Sequence, residues 1–418
     1  MNSKKIEYGL EIKNKYYLLN PDTNFTNHGS FGATPKAILD KKISYLYEME
    51  ILPDKWFRFK SFELWNKNRI TLGHYLDVNP ENLFFGENAT ESINAILKSV
   101  QFEKGDAILE TQYTYGAIMY SVDYTSKYRL KEGEHIPVFK VPCTFPIKSK
   151  NEVLAEFEKL CETIVNEKKL KLRLVVIDHI SSASAMIFPV KEINKIIRKW
   201  SKKSERDTII IIDGAHSIGQ TELRINDYDC DYYVSNLHKW FLAPKGCCFL
   251  YVNDYDKALK SLQPNFISWG YEKDLSFNFF FRATCDRSAW YLVEECIDFY
   301  ENKLGGLSSI RKYTDELLDQ AVDLLVKGWN TNEPGIPKEL EAPFMRLIKL
   351  PYLKSYQVNK PEDIEKVTLK LARDILERFN VNTLIVYVQN ELYCRICCFV
   401  YNTIEDYVAL RDAVLNMV

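Results

Sequence analysis

The sequence lacks any long apolar segment. No run approaches the ~18 residues that a membrane-spanning helix needs. The N-terminal stretch, MNSKKIEYGLEIKNKYY, lacks the apolar core of a signal peptide and the arginine-rich character of a transit peptide. The charges nearly cancel, at a net −2, which removes the electrostatic case for binding nucleic acid or an anionic membrane surface. We therefore expect a cytoplasmic protein that binds neither membranes nor nucleic acid.

Several familiar sites are missing as well. There is no glycine-rich phosphate loop of the P-loop or dinucleotide type. The ten cysteines are scattered, and the adjacent pairs Cys247-Cys248 and Cys397-Cys398 lie inside apolar runs. No CxxC pair stands opposite another, so we expect no zinc site and no other metal. Free thiols buried in this way favour a reducing compartment over a disulfide framework.

What is present indicates an α/β protein. With 418 residues, 46% hydrophobic and 27% charged, the chain is long enough for two domains, or for a large domain with a smaller one appended. Strand-like apolar runs alternate with helix-like segments. This alternation predicts a mostly parallel sheet whose connections are right-handed crossovers.

The stretch 209–250 carries the most informative pattern. Residues 209–212 are four isoleucines, as is typical of a strand buried on both faces of a parallel sheet. Asp213 follows at the carboxyl end of that strand, where ligands of open α/β sheets collect. A second strand-like run, 231–235, is followed closely by Lys239. A carboxylate and a lysine are therefore both expected just beyond buried strands.

This pair of residues suits one cofactor. Pyridoxal phosphate needs a lysine for its Schiff base and a carboxylate that keeps its pyridine nitrogen protonated. Desolvation also lowers the basicity of a lysine, which helps it act as nucleophile and base. Taken singly, Asp213 is also typical of a helix cap and Lys239 of a solvated surface charge. Lys245 competes for the same role, but we expect its Pro-Lys-Gly turn to lie on the wrong side of the loop.

Two short sequence motifs carry a family resemblance. They are DGAHSIGQ at 213–220 and SNLHKW at 235–240, and further matches extend from 27 to 402. The chain resembles the fold-type I pyridoxal-phosphate enzymes of the class V aminotransferase family. Within that family it is most similar to the branch of isopenicillin N epimerase-like and hercynylcysteine sulfoxide lyase-like enzymes.

The resemblance implies a domain plan. Residues 61–300 would form the large cofactor-binding domain, with a mostly parallel sheet of the seven-stranded type. Residues 301–418 would form a smaller α+β domain. Residues 1–60 would form an N-terminal arm and helix that contribute to the active site and to the small domain.

The cofactor site is assigned partly from local pattern and partly from the resemblance. The turn at Asn88, Ala89 and Thr90 lies between a strand and a helix-like segment, which makes a ready anion site, although a plain helix N-cap explains the same residues. The resemblance assigns this turn to the cofactor phosphate and assigns Lys239 and Asp213 to catalysis. The remaining implied cofactor contacts are Tyr115 stacking on the ring, His179 and Ser182 near its hydroxyl, His216 at its phenolic oxygen, Ser235 and His238 at the phosphate, and Thr284 from a partner subunit.

Substrate contacts are implied at four positions. Arg395 alternates with apolar residues on a strand; it is either an exposed strand residue or, as the resemblance implies, the clamp for a substrate carboxylate. His28 and Ser30 lie in a loop-like segment, and Arg58 lies in the stretch 53–60. We expect that stretch to be a surface loop that grips a neighbouring subunit.

The resemblance also implies a homodimer with shared active sites. The word FRATCD at 281–286 corresponds to a family word that usually ends Gly-Thr-x-Asp, with Ala283 in place of the glycine. Thr284 keeps the hydroxyl of that word. The partners that we expect are therefore a second copy of the chain and a small amino-acid substrate.

Three reactions share such a site. Loss of a sulfur group from Cβ defines a C–S lyase, reprotonation of Cα on the opposite face an epimerase, and protonation of the cofactor an aminotransferase. A cysteine desulfurase would need a cysteine on a mobile loop, whereas the late cysteines lie in an apolar strand. We expect the lyase, of the hercynylcysteine sulfoxide type that serves ergothioneine biosynthesis, followed by the epimerase or aminotransferase. A non-catalytic α/β binding protein is the alternative from another class.

Overall fold

The computed structural model describes residues 7–131 and 133–418. Within them, no helix is both long enough and apolar enough to cross a membrane. The strands are β1 (Asn24–Phe25), β2 (Leu83–Gly86), β3 (Asp106–Thr111), β4 (Val138–Val141), β5 (Lys171–Asp178), β6 (Ile209–Asp213), β7 (Tyr232–Asn236), β8 (Cys248–Val252), β9 (Met345–Lys349), β10 (Val381–Asn382), β11 (Leu384–Val388) and β12 (Glu391–Cys397).

The helices connect and cover these strands. They are α1 (Leu10–Tyr16), α2 (His28–Phe31), α3 (Lys36–Ile51), α4 (Pro53–Lys55), α5 (Ser61–Leu76), α6 (Ala89–Ser99), α7 (Gly116–Tyr128), α8 (Lys150–Glu162), α9 (Val190–Lys203), α10 (Tyr255–Ser261), α11 (Leu275–Phe280), α12 (Val293–Asp298), α13 (Gly306–Trp329), α14 (Ile364–Phe379) and α15 (Ile404–Leu415).

A seven-stranded sheet forms the large part of the fold, in the order β2-β8-β7-β6-β5-β3-β4. Only β8 runs against the others, because it pairs antiparallel with both β2 and β7. The predicted mostly parallel, seven-stranded sheet is therefore confirmed. Its parallel strands β5 and β6 end at the same edge, where Asp178 is the register partner of Asp213.

Strand β6 shows why the sheet forms where it does. All five of its residues are buried. Ile210 and Ile212 belong to the apolar core on one face of the sheet, and Ile209 and Ile211 to the core on the other. Successive strand residues point to opposite faces, so an unbroken isoleucine run suits a strand covered on both sides.

A smaller antiparallel sheet, β11-β12-β9, lies in the C-terminal part of the chain. It shares an apolar core with α13, α14 and α15, in agreement with the predicted α+β character. Strand β1 pairs with β10 in parallel, so the N-terminal segment is attached to the C-terminal part. The boundaries at 60/61 and 300/301 stay predictions, and residues 1–6 of the expected arm lie outside the described residues.

The prediction of a loop at 53–60 was wrong. Pro53–Lys55 form α4, and Trp56–Lys60 form a π-helical turn that leads directly into α5. Pro53 occupies the first turn, where its missing N–H is not needed. The ring of Trp56 is buried, 5.7 Å from that of Tyr45. Packing of this aromatic side chain holds the segment in a helix that its mixed charged and aromatic sequence does not reveal.

Candidate active site

Lys239 and Asp213 face one cavity of about 520 Å³ at the carboxyl edge of the large sheet. Asp213 ends β6 and is buried, and Lys239 follows β7 and is partly exposed to the cavity. The residues that line this cavity are Ser30, Phe31, Glu87, Asn88, Ala89, Thr90, Tyr115, Asp178, Ser182, Asp213, Ala215, His216, Asn236, His238, Lys239, Lys245 and Gly246. The structure thus brings together the lysine and the carboxylate on which the predicted chemistry depends.

The amine of Lys239 is set up to lose its proton. Its Nζ lies 3.0 Å from Nε2 of His216. Burial lowers the pKa of Lys239 to about 8, with a further contribution from the charge of Arg395, while the carboxylate of Asp213 opposes the shift. An uncharged amine is the nucleophilic and basic form of lysine. The site therefore makes that form accessible near neutral pH.

Two carboxyl groups, on neighbouring strands, line the same cavity as this amine. Oδ1 of Asp213 accepts a hydrogen bond of 2.9 Å from the amide of Ala215. Burial raises the pKa of Asp213, and the charge of Lys239 opposes that shift. Burial and the negative charge of Asp213 together raise the pKa of Asp178 well above its usual range. Of the two acids, Asp178 is consequently the one that keeps its proton.

The N-terminus of α6 forms another wall of the cavity. Oδ1 of Asn88 accepts a hydrogen bond of 2.9 Å from the amide of Glu91, and Oδ1 of Asn236 accepts one of 2.9 Å from the amide of Ala89. Thr90 contributes a hydroxyl to the lining. Backbone amides and the positive end of the helix dipole make such a terminus suitable for a phosphate group.

Arg395 does not line the cavity, but it binds two serines that do. Its guanidinium is fully buried and donates to Oγ of Ser182 at 2.8 Å and to Oγ of Ser30 at 3.1 Å. It also donates to Oδ1 of Asn27 at 3.1 Å. The two serines that it holds do face the cavity. The positive charge thus lies directly behind a pair of hydroxyl groups.

Three predicted contact residues lie behind the cavity wall. His28 is buried beneath the lysine, donating from Nε2 to the carbonyl of Lys239 at 3.0 Å. Nδ1 of His179 lies 2.7 Å from the hydroxyl of Tyr233. The hydroxyl of Ser235 accepts from the amide of Ile218 at 3.3 Å. Each has a polar atom engaged by a protein group, and none of the three lines the cavity.

Two further predicted residues lie elsewhere on the molecule. Arg58 and Thr284 line a separate cleft of about 800 Å³ whose other walls are largely aromatic. Arg58 forms an exposed ion pair of 2.8 Å with Asp54. Within one copy of the chain neither residue belongs to the Lys239 cavity.

The sequence reasoning missed several lining residues. Asp178 and Asn236 each end a strand, as Asp213 does, so the same positional signal could have identified them. The expectation that Lys245 lies on the wrong side of the loop was wrong: it lines the cavity, and its Nζ donates to the carbonyl of Gly32 at 3.1 Å. Lys239 differs from it in its contact with His216.

These residues fit pyridoxal phosphate. The cavity presents an amine for the aldehyde group, a carboxylate for the pyridine nitrogen and a helix N-terminus for the phosphate, which are the groups that this cofactor requires. Lys239, Asp213 and Thr90 would hold it at those three points. Oδ2 of Asp178 is buried and has no hydrogen-bond partner among residues 7–131 and 133–418. Because Asp178 lines the cavity, this oxygen is available to accept a hydrogen bond from a ligand bound there.

Known proteins match nearly the whole chain. The family profile described as Aminotransferase class-V matches residues 33–409. The chain is 30% identical to putative L-cysteine desulfhydrase 1 of Oryza sativa subsp. japonica, over 94% of this chain and 82% of the relative. It is 25% identical to the hercynylcysteine sulfoxide lyase of Schizosaccharomyces pombe (strain 972 / ATCC 24843), over 85% of this chain and 88% of that protein.

The fold also matches solved structures. The complex of the cystine C-S lyase C-DES with its reaction product cysteine persulfide superposes with a TM-score of 0.71, covering 95% of this chain and 98% of that one, at 17% identity. At this identity the match shows the shared fold.

Proposed function

Because this chain belongs to the class V aminotransferase family, whose cofactor is pyridoxal phosphate, we propose that it is a C–S lyase. Its substrate would be an L-amino acid that carries a sulfur group on Cβ. The observation that carries the proposal is the amine of Lys239, held 3.0 Å from His216 in the same cavity as Asp213. The names of the relatives, a putative L-cysteine desulfhydrase and a hercynylcysteine sulfoxide lyase, support cleavage of a carbon–sulfur bond.

Different side chains of the cavity would have different roles in such a β-elimination. When bound, pyridoxal phosphate supplies an electron sink for the charge that develops at Cα. The uncharged Nζ of Lys239 accepts the proton from Cα. Asp213 would hold a proton at the pyridine nitrogen, and His216 would donate a hydrogen bond to the phenolic oxygen. As the C–S bond breaks, its electron pair leaves with the sulfur, which takes up a proton.

The substrate carboxylate has a suitable partner at the other side of the cavity. We place it against the hydroxyls of Ser30 and Ser182, with the charge of Arg395 directly behind them. A buried guanidinium attracts an anion strongly because little water screens it. Direct contact with Arg395 would require the two serines to move aside.

The cysteines support a lyase over a desulfurase. A desulfurase passes sulfur to a nucleophilic cysteine near the substrate. Cys394, Cys397 and Cys398 are buried, and burial raises the pKa of each thiol. Cys285 is exposed, but it lies beside Thr284, outside the cavity lining. Sulfur is therefore expected to leave the enzyme as a free product.

We propose two candidate substrates. The predicted substrate is a cysteine-derived sulfoxide of the hercynylcysteine type, which would place the enzyme in ergothioneine biosynthesis. The relative with 30% identity favours L-cysteine as a second candidate. Both contain the same Cα–Cβ–S unit, so the same residues serve either substrate.

We also propose a homodimer whose sites are shared. Trp269, with 73% of its surface exposed, and Phe59, with 62%, border the cleft that contains Thr284. An exposed aromatic surface of this kind is typical of a protein interface. A second copy seated on it would place Thr284 at the interface between the two copies. We further propose a cytoplasmic location, which the ten free cysteines support.

The first experiment tests the cofactor lysine. The purified protein is incubated with pyridoxal phosphate, treated with borohydride and digested, and the labelled peptide is identified by mass spectrometry. The label is expected on Lys239 and is expected to be lost in Lys239→Ala. Lys245→Ala is the matched control, and it should retain the label on Lys239. A label on Lys245, or a protein that ignores the cofactor, contradicts the assignment.

The second experiment identifies the reaction. L-cysteine, S-substituted cysteines and their sulfoxides are supplied, and pyruvate, ammonia and released sulfur are measured. A lyase yields all three in equal amounts. Racemised amino acid without pyruvate would indicate an epimerase, and a keto acid that retains its sulfur group would indicate an aminotransferase.

A further inference from the structure

Three side chains form a continuous hydrogen-bonded chain that ends at the amine of Lys239. Nε1 of Trp240 donates to Nδ1 of His216 at 3.2 Å, and Nε2 of His216 lies 3.0 Å from Nζ of Lys239. Trp240 is fully buried, and His216 is 2% exposed. Because water has little access to the Trp240–His216 contact, the hydrogen-bond partners of His216 within the protein determine which ring nitrogen carries the proton.

The direction of this chain follows from the chemistry of its members. An indole N–H can only donate, so Nδ1 of His216 must accept. Burial lowers the pKa of His216 well below its usual range, so the ring is neutral and carries a single proton. That proton therefore resides on Nε2 and points toward Lys239. An uncharged amine can accept it through its lone pair, whereas an ammonium group has no lone pair.

We propose that Trp240 is a positioning residue: its indole N–H fixes His216 with the proton on Nε2, and this orientation favours the uncharged form of Lys239. The proposal takes Lys239 as the cofactor lysine, as argued above, and adds a reason why that lysine can react. Without the indole donor, the proton could move to Nδ1. Nε2 would then accept a hydrogen bond from an ammonium group and stabilise it.

The packing of Trp240 supports a fixed role. Its ring lies 4.8 Å from that of His28 and 5.5 Å from that of Phe344, measured between centroids. A Cβ atom added at Gly29 would come within 2.9 Å of Cζ2 of Trp240. The indole is thus confined from several sides, which aims its N–H at His216.

Other groups also shift the pKa of Lys239, and their effects do not depend on Trp240. The charge of Arg395 lowers the pKa of the amine, whereas the carboxylate of Asp213 raises it. Burial is the largest cause of the lowered value. Trp240→Phe leaves both of these charges in place, so they do not account for a change in the amine after the substitution.

The direct test is the position of that proton. The full-length chain, without added cofactor, is labelled with ¹⁵N at histidine, and the ring nitrogens are observed by NMR, with His216→Asn used to assign the signals. The expected result is a protonated Nε2 and an unprotonated Nδ1. Trp240→Phe keeps the aromatic volume and should shift the proton to Nδ1, wholly or in part. Trp329→Phe is the matched control, because that buried indole donates to the carbonyl of Arg411 at 3.1 Å in the C-terminal part of the chain.

A second measurement follows the amine. The rate at which the protein captures added pyridoxal phosphate, trapped with borohydride, is measured against pH. Its midpoint should move up by about one unit in Trp240→Phe, the value of one hydrogen bond to a charged group, and should not move in Trp329→Phe. An unmoved midpoint in Trp240→Phe overturns the proposed effect on Lys239.

The outcomes separate this proposal from the proposed function. A proton on Nδ1 in the unaltered protein, or on Nε2 in Trp240→Phe, overturns the role of Trp240, even where the lyase reaction is observed. Should Trp240→Phe fail to fold, the spectrum of the unaltered protein still decides. The NMR measurement needs neither cofactor nor substrate, so it does not depend on the identity of the reaction.

Discussion

Asp178 and Asp213 are register partners at the ends of two neighbouring parallel strands, and both face the same cavity. Like charges this close cannot both be fully ionised. The carboxylate of Asp213 is favoured by the amide of Ala215 and by the charge of Lys239. Burial and the charge of Asp213 raise the pKa of Asp178 well above its usual range, so Asp178 carries the proton. The two acids therefore differ in role although they are chemically identical.

This difference predicts unequal effects of two matched substitutions. Asp213→Asn should lower kcat/KM by roughly 10²–10³-fold, since it removes the negative charge that holds a proton on the pyridine nitrogen. Asp178→Asn replaces a neutral acid by a neutral amide and should have a much smaller effect. The measurement is kcat/KM with each variant saturated with cofactor. Equal losses in the two variants would show that the charge is shared between the two acids.

The amine of Lys239 should also affect stability. Its pKa is lowered to about 8 in the folded chain, from 10.5. Between these values the unfolded chain binds more protons, so the free energy of unfolding rises with pH through that window. Below it, the charged amine costs on the order of 3 kcal/mol of stability.

Lys239→Met should remove this cost. The cofactor-free variant is expected to unfold at a higher temperature than the unaltered protein at pH 7, and the difference should shrink as the pH approaches 10. Thermal unfolding across this pH range is the measurement. Lys104→Met is the control, since 86% of that side chain is exposed. A variant no more stable than the parent at pH 7 would mean that the folded chain holds the charge without penalty.

The approach of the N-terminal segment to the lysine can be tested at Gly32. Its φ is +69°, and an added Cβ would overlap the carbonyl oxygen of His238 and lie 2.8 Å from that of Lys239. Gly32→Ala should therefore displace the lysine turn, weaken cofactor binding and destabilise the fold. Gly105→Ala is a matched control, because Gly105 has a φ of +91° and no atom within 4 Å of the added Cβ.

The control separates backbone strain from the clash. Gly105→Ala should cost only about 1–2 kcal/mol, the penalty of the left-handed conformation. Cofactor affinity, measured by absorbance titration, should be unchanged in it and reduced in Gly32→Ala. An unchanged affinity in Gly32→Ala would show that the turn can yield without disturbing Lys239.

Shared active sites would be revealed by mixing inactive variants. Lys239→Ala and Thr284→Ala are each expected to lose activity. If Thr284 serves the partner's site, a mixed dimer contains one site with both defects and one site with neither. Activity should therefore reappear when the two variants are unfolded together, refolded and assayed.

A second mixture supplies the control for this experiment. Lys239→Ala and Asp213→Asn alter residues of the same cavity in one chain. Every site of their mixed dimer carries one defect, so activity should not return. Recovery in both mixtures, or in neither, would argue against a site completed by Thr284 of the other copy.

Much of the fold could be predicted from the sequence, because buried strands consist of consecutive apolar residues. The isoleucine run of β6 alternates between two cores, and only a strand covered on both faces requires four such residues in succession. The carboxyl ends of parallel strands meet at one edge, so Asp213 and Lys239 could be expected to face the same space. Residue order alone was sufficient for that inference.

Side-chain direction could not be read in the same way. His28, His179 and Ser235 are polar residues near the site, but each engages a protein group behind the cavity wall. A sequence shows that such a residue is present and not which way it points. Lys245 was misplaced for the same reason, because the turn that carries it bends back toward Gly32.

The contact between Arg395 and Asn27 joins residues 368 positions apart. Chains are synthesised from the N-terminus, and early segments fold as they emerge. The segment at Asn27 must nevertheless wait for the last strand of the small sheet before it finds this partner. The pocket is thus complete only after nearly all of the polypeptide has been translated. Binding of the vitamin cofactor is therefore a late event in maturation. Nascent chains that stall before β12 are expected to contain little cofactor.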